Sequence, residues 1–178
     1  MSTSAPRSPQ SSQSSQSPHP SPSRRVYATT TIVTALVATM AAAAALGAGV
    51  PVWAMFIGWI AFFSRGLTTR ATLENLLCVW LGLGIGALAA TAIGAFAPQV
   101  GLIVALPAVV FVVALVVVGL RGLPVLNNLL AYFLGLVAWF AAHLEPSLEH
   151  VAELAGAGTI GSIAGWASHQ AQRRLHPA

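Results

Sequence analysis

Six apolar segments, separated by short polar stretches, dominate the chain between residues 27 and 167. Each is long enough to form a helix, and together they cover residues 27–46, 50–64, 73–96, 100–120, 123–142 and 151–167. About 20 consecutive apolar residues in a helix match a hydrocarbon layer of roughly 30 Å. The pattern therefore predicts an all-α integral membrane protein with six transmembrane helices.

The second segment, PVWAMFIGWIAFFS at residues 51–64, is short for a crossing. A helix of this length measures roughly 21 Å, because each residue contributes about 1.5 Å. We expect it to cross by extending from near Gly49 to near Gly66, with close packing or local thinning of the bilayer. A re-entrant pair of half-helices is the alternative.

The two ends of the chain differ from this apolar region. Residues 1–25 are almost entirely Ser, Pro, Gln and Arg, which predicts a disordered, cytoplasmic tail. The sequence SRRVYA could begin an export signal, but the apolar run after it is too long for one and further apolar segments follow. We therefore expect a membrane domain over residues 26–172 and a short basic tail over 173–178.

Composition supports a membrane protein and excludes other classes. The 178 residues are 56% hydrophobic and only 7% charged, whereas soluble domains contain about 25% charged residues. The eight basic residues, all Arg, are scattered between apolar segments, so we expect no nucleic-acid partner. The single cysteine, Cys78, lies in an apolar run and is expected to be a core residue without a disulfide or a metal.

The arginines also predict orientation. With six crossings, every Arg falls on one side of the membrane, at positions 7, 24, 25, 65, 70, 121, 173 and 174. One loop on the opposite side carries Glu145, Glu149 and Glu153. Because Arg accumulates on the cytoplasmic side, we expect both termini to be cytoplasmic.

An internal repeat is visible between the two halves. WAMFIGWIAFF (53–63) aligns with LAYFLGLVAWF (130–140) at an offset of 77, with five identities in eleven positions. At an offset of 75, LEN and IGALA align with LEH and IGSIA. Three crossings reverse the chain direction, so a duplicated three-helix unit would form an inverted repeat, as in many transporters. Chance identity between apolar segments is the alternative.

Small residues recur at helical spacing and predict close helix packing, with a backbone-lined pathway as the alternative. The residues expected at these contacts are Gly58, Gly82, Gly86, Gly94, Gly135, Gly161 and Gly165. The sequence GAGTIG at 156–161 matches a dinucleotide-binding pattern, but no strand precedes it, so we expect no cofactor.

Two pairs of phenylalanines, Phe56 with Phe63 and Phe133 with Phe140, are each seven residues apart and share a helix face. Ordinary packing is the simpler role. If the two faces meet, four rings would form an apolar gate that closes a pathway by excluding water.

Polar residues near predicted helix starts form the remaining candidates: Glu74, Asn75, Asn127, Asn128, Glu149 and His150. The glutamates would favourably offset the helix dipole, and the asparagines would form hydrogen bonds between helices. Glu149, His150 and Glu153 are close enough on one turn to share a cation, but we expect a solvated acidic loop and no metal.

The segments VPVWAMFIGWIAFF, AYFLGLVAWFA and AGTIGSIAGW resemble a small bacterial inner-membrane family of unknown function, the family that includes YcdZ. The resemblance covers about residues 28–172 and implies a multi-pass protein of the bacterial plasma membrane. It supplies no substrate and no catalytic residues.

Because no set of residues suits catalysis, we do not expect an enzyme. An inverted repeat without charged residues at its centre suggests a channel or transporter for a small neutral solute. The alternative is an accessory or scaffolding membrane subunit without transport activity. The expected partners are the lipid bilayer and, through the Gly faces, other copies of the chain.

Overall fold

The computed structural model describes residues 24–175, and these form six α-helices. They are α1 (Arg24–Gly47), α2 (Val52–Ser64), α3 (Thr69–Val100), α4 (Leu102–Leu120), α5 (Leu129–Ala142) and α6 (Leu148–Leu175). The predicted disordered tail lies outside the described residues except for Arg24 and Arg25, which belong to α1. The basic tail lies outside them except for Arg173, Arg174 and Leu175, which belong to α6.

Each helix runs opposite to the preceding one. The indole nitrogens of Trp80 and Trp166 donate hydrogen bonds to Ala155 and Thr69 respectively, which makes α3 and α6 antiparallel. Asn128, just before α5, contacts Ser64 at the end of α2. The α3 and α4 helices pack against each other and are separated by a single residue.

This arrangement gathers charges of opposite sign at opposite ends of the bundle. All the described arginines lie at one end, which we call the arginine end: Arg24, Arg25, Arg65, Arg70, Arg121, Arg173 and Arg174. Glu145, Glu149 and Glu153 lie at the other end, where α5 ends and α6 begins.

Three helices in the described region, α1, α3 and α4, are long and apolar enough to cross a membrane. The α2 and α5 helices are apolar but contain only 13 and 14 residues, which corresponds to about 20 Å each. The α6 helix has 28 residues but is less apolar, since it carries Glu and Arg at its ends. The helical class is thus as predicted, and three of the six expected crossings meet the length and composition criteria.

Several predicted boundaries are wrong for local reasons. The α2 helix does not reach Gly49 or Gly66, because both glycines adopt positive φ angles, of 72° and 62°, that turn the chain. The α5 helix begins at Leu129 instead of residue 123, because the side chain of Asn128 accepts a hydrogen bond from the Ala131 amide and caps the helix there.

The start of α3 also differs from the prediction. Thr68 caps this helix by accepting a hydrogen bond from the Ala71 amide, so α3 begins at Thr69 and Glu74 lies in its second turn. Glu74 is therefore not the residue that offsets the α3 dipole. Glu149, by contrast, lies in the first turn of α6, where its charge is favourable.

The core lies between α2, α3, α5 and α6 and is filled by large side chains. Trp139, Tyr132, Phe62 and Met55 are fully buried there. In contrast, α1 and α4 are mostly exposed, and Ile103 of α4 retains 91% of its accessible surface. Apolar surface of this extent is unfavourable in water, which supports membrane association.

Candidate functional site

The closest helix contacts join α2 to α6 through glycine. Gly161 lies against the carbonyl of Met55, and Gly58 lies against the carbonyl of Gly158. A Cβ atom at Gly58 or Gly161 would collide with the backbone of the other helix. The hydroxyl of Ser162 adds a hydrogen bond of 3.0 Å to the Gly58 carbonyl. Backbone contact of this kind requires glycine and fixes the register of the two helices.

A second set of contacts joins α5 to α3 in the same way. Gly82 lies against the carbonyl of Tyr132, and Gly135 lies against the carbonyl of Val79. Here too a Cβ atom at either glycine would meet backbone atoms. The short helices α2 and α5 are therefore each held by one long helix at backbone distance.

Two further glycines pack against buried rings. A Cβ at Gly165 would stand 3.0 Å from the Cβ of Phe62, and one at Gly86 would stand 2.8 Å from the Cβ of Trp139. Both rings are buried in the core. Phe62 and Trp139 are not among the predicted contact residues, although they occupy equivalent positions in the aligned segments 53–63 and 130–140.

The two sets of contacts correspond residue by residue. Met55, Gly58 and Phe62 of α2 are each 77 positions before Tyr132, Gly135 and Trp139 of α5. Their partners in the long helices correspond at an offset of 79, which pairs Gly82 with Gly161, Val79 with Gly158 and Gly86 with Gly165.

The predicted equivalence of Gly86 with Gly161 is therefore wrong by four residues. Alignment at an offset of 75 places Gly86 on Gly161, whereas the contacts place it on Gly165. Residues four apart lie on the same helix face, so a shift of one turn preserves the pattern of small residues. Sequence alone cannot distinguish two registers that differ in this way.

Gly94 differs from the other glycines of the candidate set. It lies on the exposed face of α3, and a Cβ built on it has no neighbour within 4 Å. Among the described residues, Gly94 therefore has no partner for its expected role in helix packing.

The four phenylalanines of the gate hypothesis do not come together in one chain. Phe56 and Phe133 are 43% and 44% exposed, and Phe63 and Phe140 are similarly exposed. The ring of Phe63 contacts Phe62 of its own helix, with centroids 4.8 Å apart. Phe133 and Phe140 instead line an apolar groove of about 180 Å³ that also contains Ala89 and Val113. The rings thus lie on outer faces of the bundle.

A wider apolar groove continues from this one along α3 and α4. It has a volume of about 610 Å³, and its walls include Ile85, Ala89, Val109 and Val113. The two grooves share Ala89, Val109 and Val113. Together they form a continuous apolar surface on one side of the chain.

A buried polar cluster lies at the arginine end, between α2, α3 and α5. The amide nitrogen of Asn128 donates to the Ser64 hydroxyl at 2.6 Å and to the Asn75 side-chain oxygen at 2.7 Å. Asn75 in turn donates to the Arg65 carbonyl at 2.8 Å. Both asparagines are buried, whereas Asn127 is exposed. Asn75 and Asn128 thus form the kind of hydrogen bond between helices that was expected, and Asn127 does not take part.

Charged residues next to this cluster are paired. The Glu74 carboxylate accepts hydrogen bonds from Arg65 at 2.7 Å and from Arg70 at 2.8 Å. The Glu74 side chain is 17% exposed and Arg65 is 30% exposed, while Arg70 is 84% exposed. Glu74 therefore connects the end of α2 with the start of α3.

Two buried side chains, Tyr132 and Cys78, lie next to each other in the core. Only Cys78 was predicted from the sequence to be a core residue. Cys78 is buried, as expected, and the fully buried Tyr132 hydroxyl has its thiol as a polar neighbour. That hydroxyl has no nitrogen or oxygen partner among the described residues. A tyrosine inside an apolar segment was the available signal.

The acidic loop at the opposite end contains two local contacts of His150. His150 lies 2.7 Å from the carbonyl of Glu145 through its Nδ1, and its amide donates to the Ser147 hydroxyl. Within residues 24–175, no three His, Cys, Asp or Glu side chains are arranged to hold a metal ion.

Comparison with known proteins places the chain in a family. The model of a family described as "Protein of unknown function (DUF1097)" matches residues 29–172, and the chain belongs to this family. No curated protein and no solved structure matches the chain.

Proposed function

We propose that this DUF1097 protein is a multi-pass protein of the bacterial inner membrane, with both termini cytoplasmic, that forms a passage for a small neutral solute. Three helices of membrane-spanning length and the exposed apolar faces of α1 and α4 support the membrane location. The collection of Arg at one end and three Glu at the other supports the orientation. We assign no chemical reaction to it.

We further propose that helices α1–α3 and α4–α6 form an inverted repeat. The matched contacts of α2 with α6 and of α5 with α3 support this arrangement, because a two-fold axis in the membrane plane would exchange them. The alternating helix directions are also consistent with it. This correspondence is the observation on which the transport proposal rests, since inverted repeats recur in transporters.

The passage would run along the outer groove of α3, α4 and α5. The centre of one chain is filled by Trp139, Tyr132 and Phe62, which leaves the outer groove as the available route. A second copy packed on this face would enclose it, with Phe133 and Phe140 narrowing it. An apolar lining favours a neutral solute, because charged solutes would lose their hydration without compensation.

Transport can be tested in liposomes that contain the purified protein. Osmotic swelling with a panel of small neutral solutes should exceed that of empty liposomes. Phe133→Ala should increase the rate, because it removes a ring from the groove wall. Phe111→Ala, on an exposed face of α4 outside the groove walls, should leave the rate unchanged. Swelling equal to that of empty liposomes for every solute would overturn the proposal.

The dense packing of the core favours a second candidate function. Backbone contact between α2 and α6, and between α3 and α5, packs these helices closely, and a closely packed bundle can serve as a scaffold for a partner. An accessory subunit would show no permeation and would co-purify with a defined membrane partner after mild solubilisation. The liposome experiment therefore separates the two functions.

A further inference from the structure

Among the described residues, five arginines at the arginine end have no Asp or Glu partner, and four of these belong to α1 and α6. Arg24 and Arg25 begin α1, Arg173 and Arg174 lie in the last turn of α6, and all four are exposed. The chain contains only four acidic residues. Glu74 already pairs with Arg65 and Arg70, and the other three glutamates lie at the opposite end of the bundle. No Asp or Glu side chain can therefore neutralise these arginines.

The two arginine pairs are brought together by the packing of α1 on α6. The side-chain amide of Gln172 donates a hydrogen bond of 2.8 Å to the Thr34 hydroxyl. Because the helices are antiparallel, the end of α6 lies beside the first turns of α1. The stretch of α1 from Arg24 to the level of Arg174 is then about two turns, or roughly 12 Å. Arg24 lies two turns before Thr31 on the same face of α1. Arg173 directly follows Gln172, so these two arginines flank the arginine end of the α1–α6 contact.

A groove with both polar and apolar walls lies between α1 and α6, on the side of these arginines that faces the middle of the bundle. It has a volume of about 450 Å³ and is lined by Thr30, Thr31, Thr34, Ala35, Ala38 and Gln172. The three threonine hydroxyls donate their protons to backbone carbonyls within α1. The oxygens of Thr30 and Thr31 therefore act as acceptors toward the groove. The Thr34 oxygen already accepts from Gln172, and the second hydrogen of the Gln172 amide remains as a donor.

Further along α1, toward the middle of the bundle, the surface becomes apolar. Ala35 and Ala38 line this part of the groove, on the same face of α1 as Thr31 and Thr34. Along α1, arginines are followed by threonine hydroxyls and then by apolar side chains. A ligand that fits these three surfaces has an anionic group at the arginines, hydroxyls at the threonines and a hydrocarbon chain along the apolar part of α1. A phospholipid with a phosphate and a hydroxylated headgroup has these three parts.

We propose that the α1–α6 groove with its four arginines binds an anionic phospholipid with a hydroxyl-bearing headgroup, of the phosphatidylglycerol type. The phosphate lies between the arginine pairs, and the headgroup hydroxyls donate to the threonine oxygens. Basic pockets between helices on the cytoplasmic side suit anionic headgroups. This inference rests on the proposed membrane location but not on transport.

Thermal unfolding of the purified full chain in a neutral detergent tests the site. Phosphatidylglycerol should raise the unfolding temperature saturably, because a ligand that binds only the folded state stabilises it. Phosphatidylcholine, which has no net charge and no hydroxyl, should have little effect. Inorganic phosphate should also have little effect, because it cannot use the apolar surface of α1; an equal effect would overturn a lipid site in favour of a free-anion site.

Arginine variants locate the site. Each Arg near an anionic headgroup contributes about a fivefold gain in binding, so R173Q/R174Q should bind phosphatidylglycerol about 30-fold more weakly. R70Q/R121Q removes the same charge from the same end of the bundle but outside the groove, and it should change binding less than about threefold. Equal weakening by both double variants would overturn a specific site and leave only diffuse charge attraction.

Two other variants keep the test valid if R173Q/R174Q folds poorly. R24Q/R25Q should weaken binding to a similar extent from the other helix. Thr31→Val keeps the shape of the side chain and leaves the Gln172–Thr34 hydrogen bond in place but removes a hydroxyl oxygen from the groove wall, so it should reduce the preference for phosphatidylglycerol over an anionic lipid without headgroup hydroxyls. An unchanged preference would overturn the assignment of the threonines, and an unchanged affinity in R24Q/R25Q would overturn the shared site.

Discussion

Gly161 of α6 lies directly against the backbone carbonyl of Met55 in α2. Because both groups belong to helix backbones, neither can move without shifting its helix. A methyl group at Gly161 would collide with that carbonyl. We therefore expect Gly161→Ala to lower the free energy of unfolding by about 1–3 kcal/mol, the range for overpacking a tight core. Unfolding of the solubilised protein, followed by circular dichroism, measures the change.

Gly156 provides the matched control in the same helix. A Cβ built there has no neighbour within 4 Å. Gly156→Ala should leave stability unchanged or raise it by up to about 1 kcal/mol, because Ala favours the helix. Equal loss of stability in both variants would show that the Met55 contact is not the cause.

The corresponding contact in the other half predicts a similar cost. Gly82 lies against the carbonyl of Tyr132, as Gly161 does against that of Met55. Gly82→Ala should therefore destabilise by about the same 1–3 kcal/mol. Gly84→Ala, two residues away in open space, should not destabilise. A neutral Gly82→Ala variant would contradict the equivalence of the two halves.

The buried asparagine cluster supports a third prediction. Asn128→Ala removes the cap of α5 and leaves the oxygen of Asn75 without its donor. Losing a cap costs about 1 kcal/mol, and an unsatisfied buried acceptor costs about 1–3 kcal/mol more. Thermal unfolding should show this combined loss, whereas Asn127→Ala, at the exposed neighbouring position, should change stability by less than about 0.5 kcal/mol.

Asn128→Asp separates the two contributions. The aspartate keeps the oxygen that caps α5 but cannot donate to Asn75 or Ser64. Because the cap is kept, the variant should lose only the cost of the unsatisfied Asn75 oxygen, about 1–3 kcal/mol. Wild-type stability in this variant would mean that the hydrogen bonds between helices contribute little.

The sequence pattern predicted the helical class and the order of six helices because the apolar segments are long and clearly separated. It placed the start of α5 six residues early, since the apolar residues near Leu123 lie in turns that end only at the Asn128 cap. A hydropathy pattern does not reveal a helix cap, because the cap depends on a single hydrogen bond between one side chain and one backbone amide, here Asn128 and Ala131.

Most, but not all, of the predicted helix-packing glycines lie at helix contacts. Glycine spacing identified Gly82 and Gly161, and the aligned segments identified Gly58 and Gly135. All four lie at backbone contacts. The same spacing included Gly94, which lies on an exposed face beyond the region where α5 packs. Spacing defines a helix face, but whether another helix covers that face depends on helix length and tertiary packing.

The proposed orientation can be tested by labelling single cysteines in intact cells with an impermeant thiol reagent. The Cys78→Ser background removes the native thiol, and the serine hydroxyl can still face Tyr132. Ser147→Cys and Gln99→Cys, at the end opposite the arginines, should be labelled in intact cells. Val125→Cys and Ser12→Cys should be labelled only after permeabilisation, because Arg-rich ends remain in the cytoplasm. Labelling of Val125→Cys in intact cells would reverse the orientation, and labelling of Ser147→Cys and Val125→Cys together would exclude six alternating crossings.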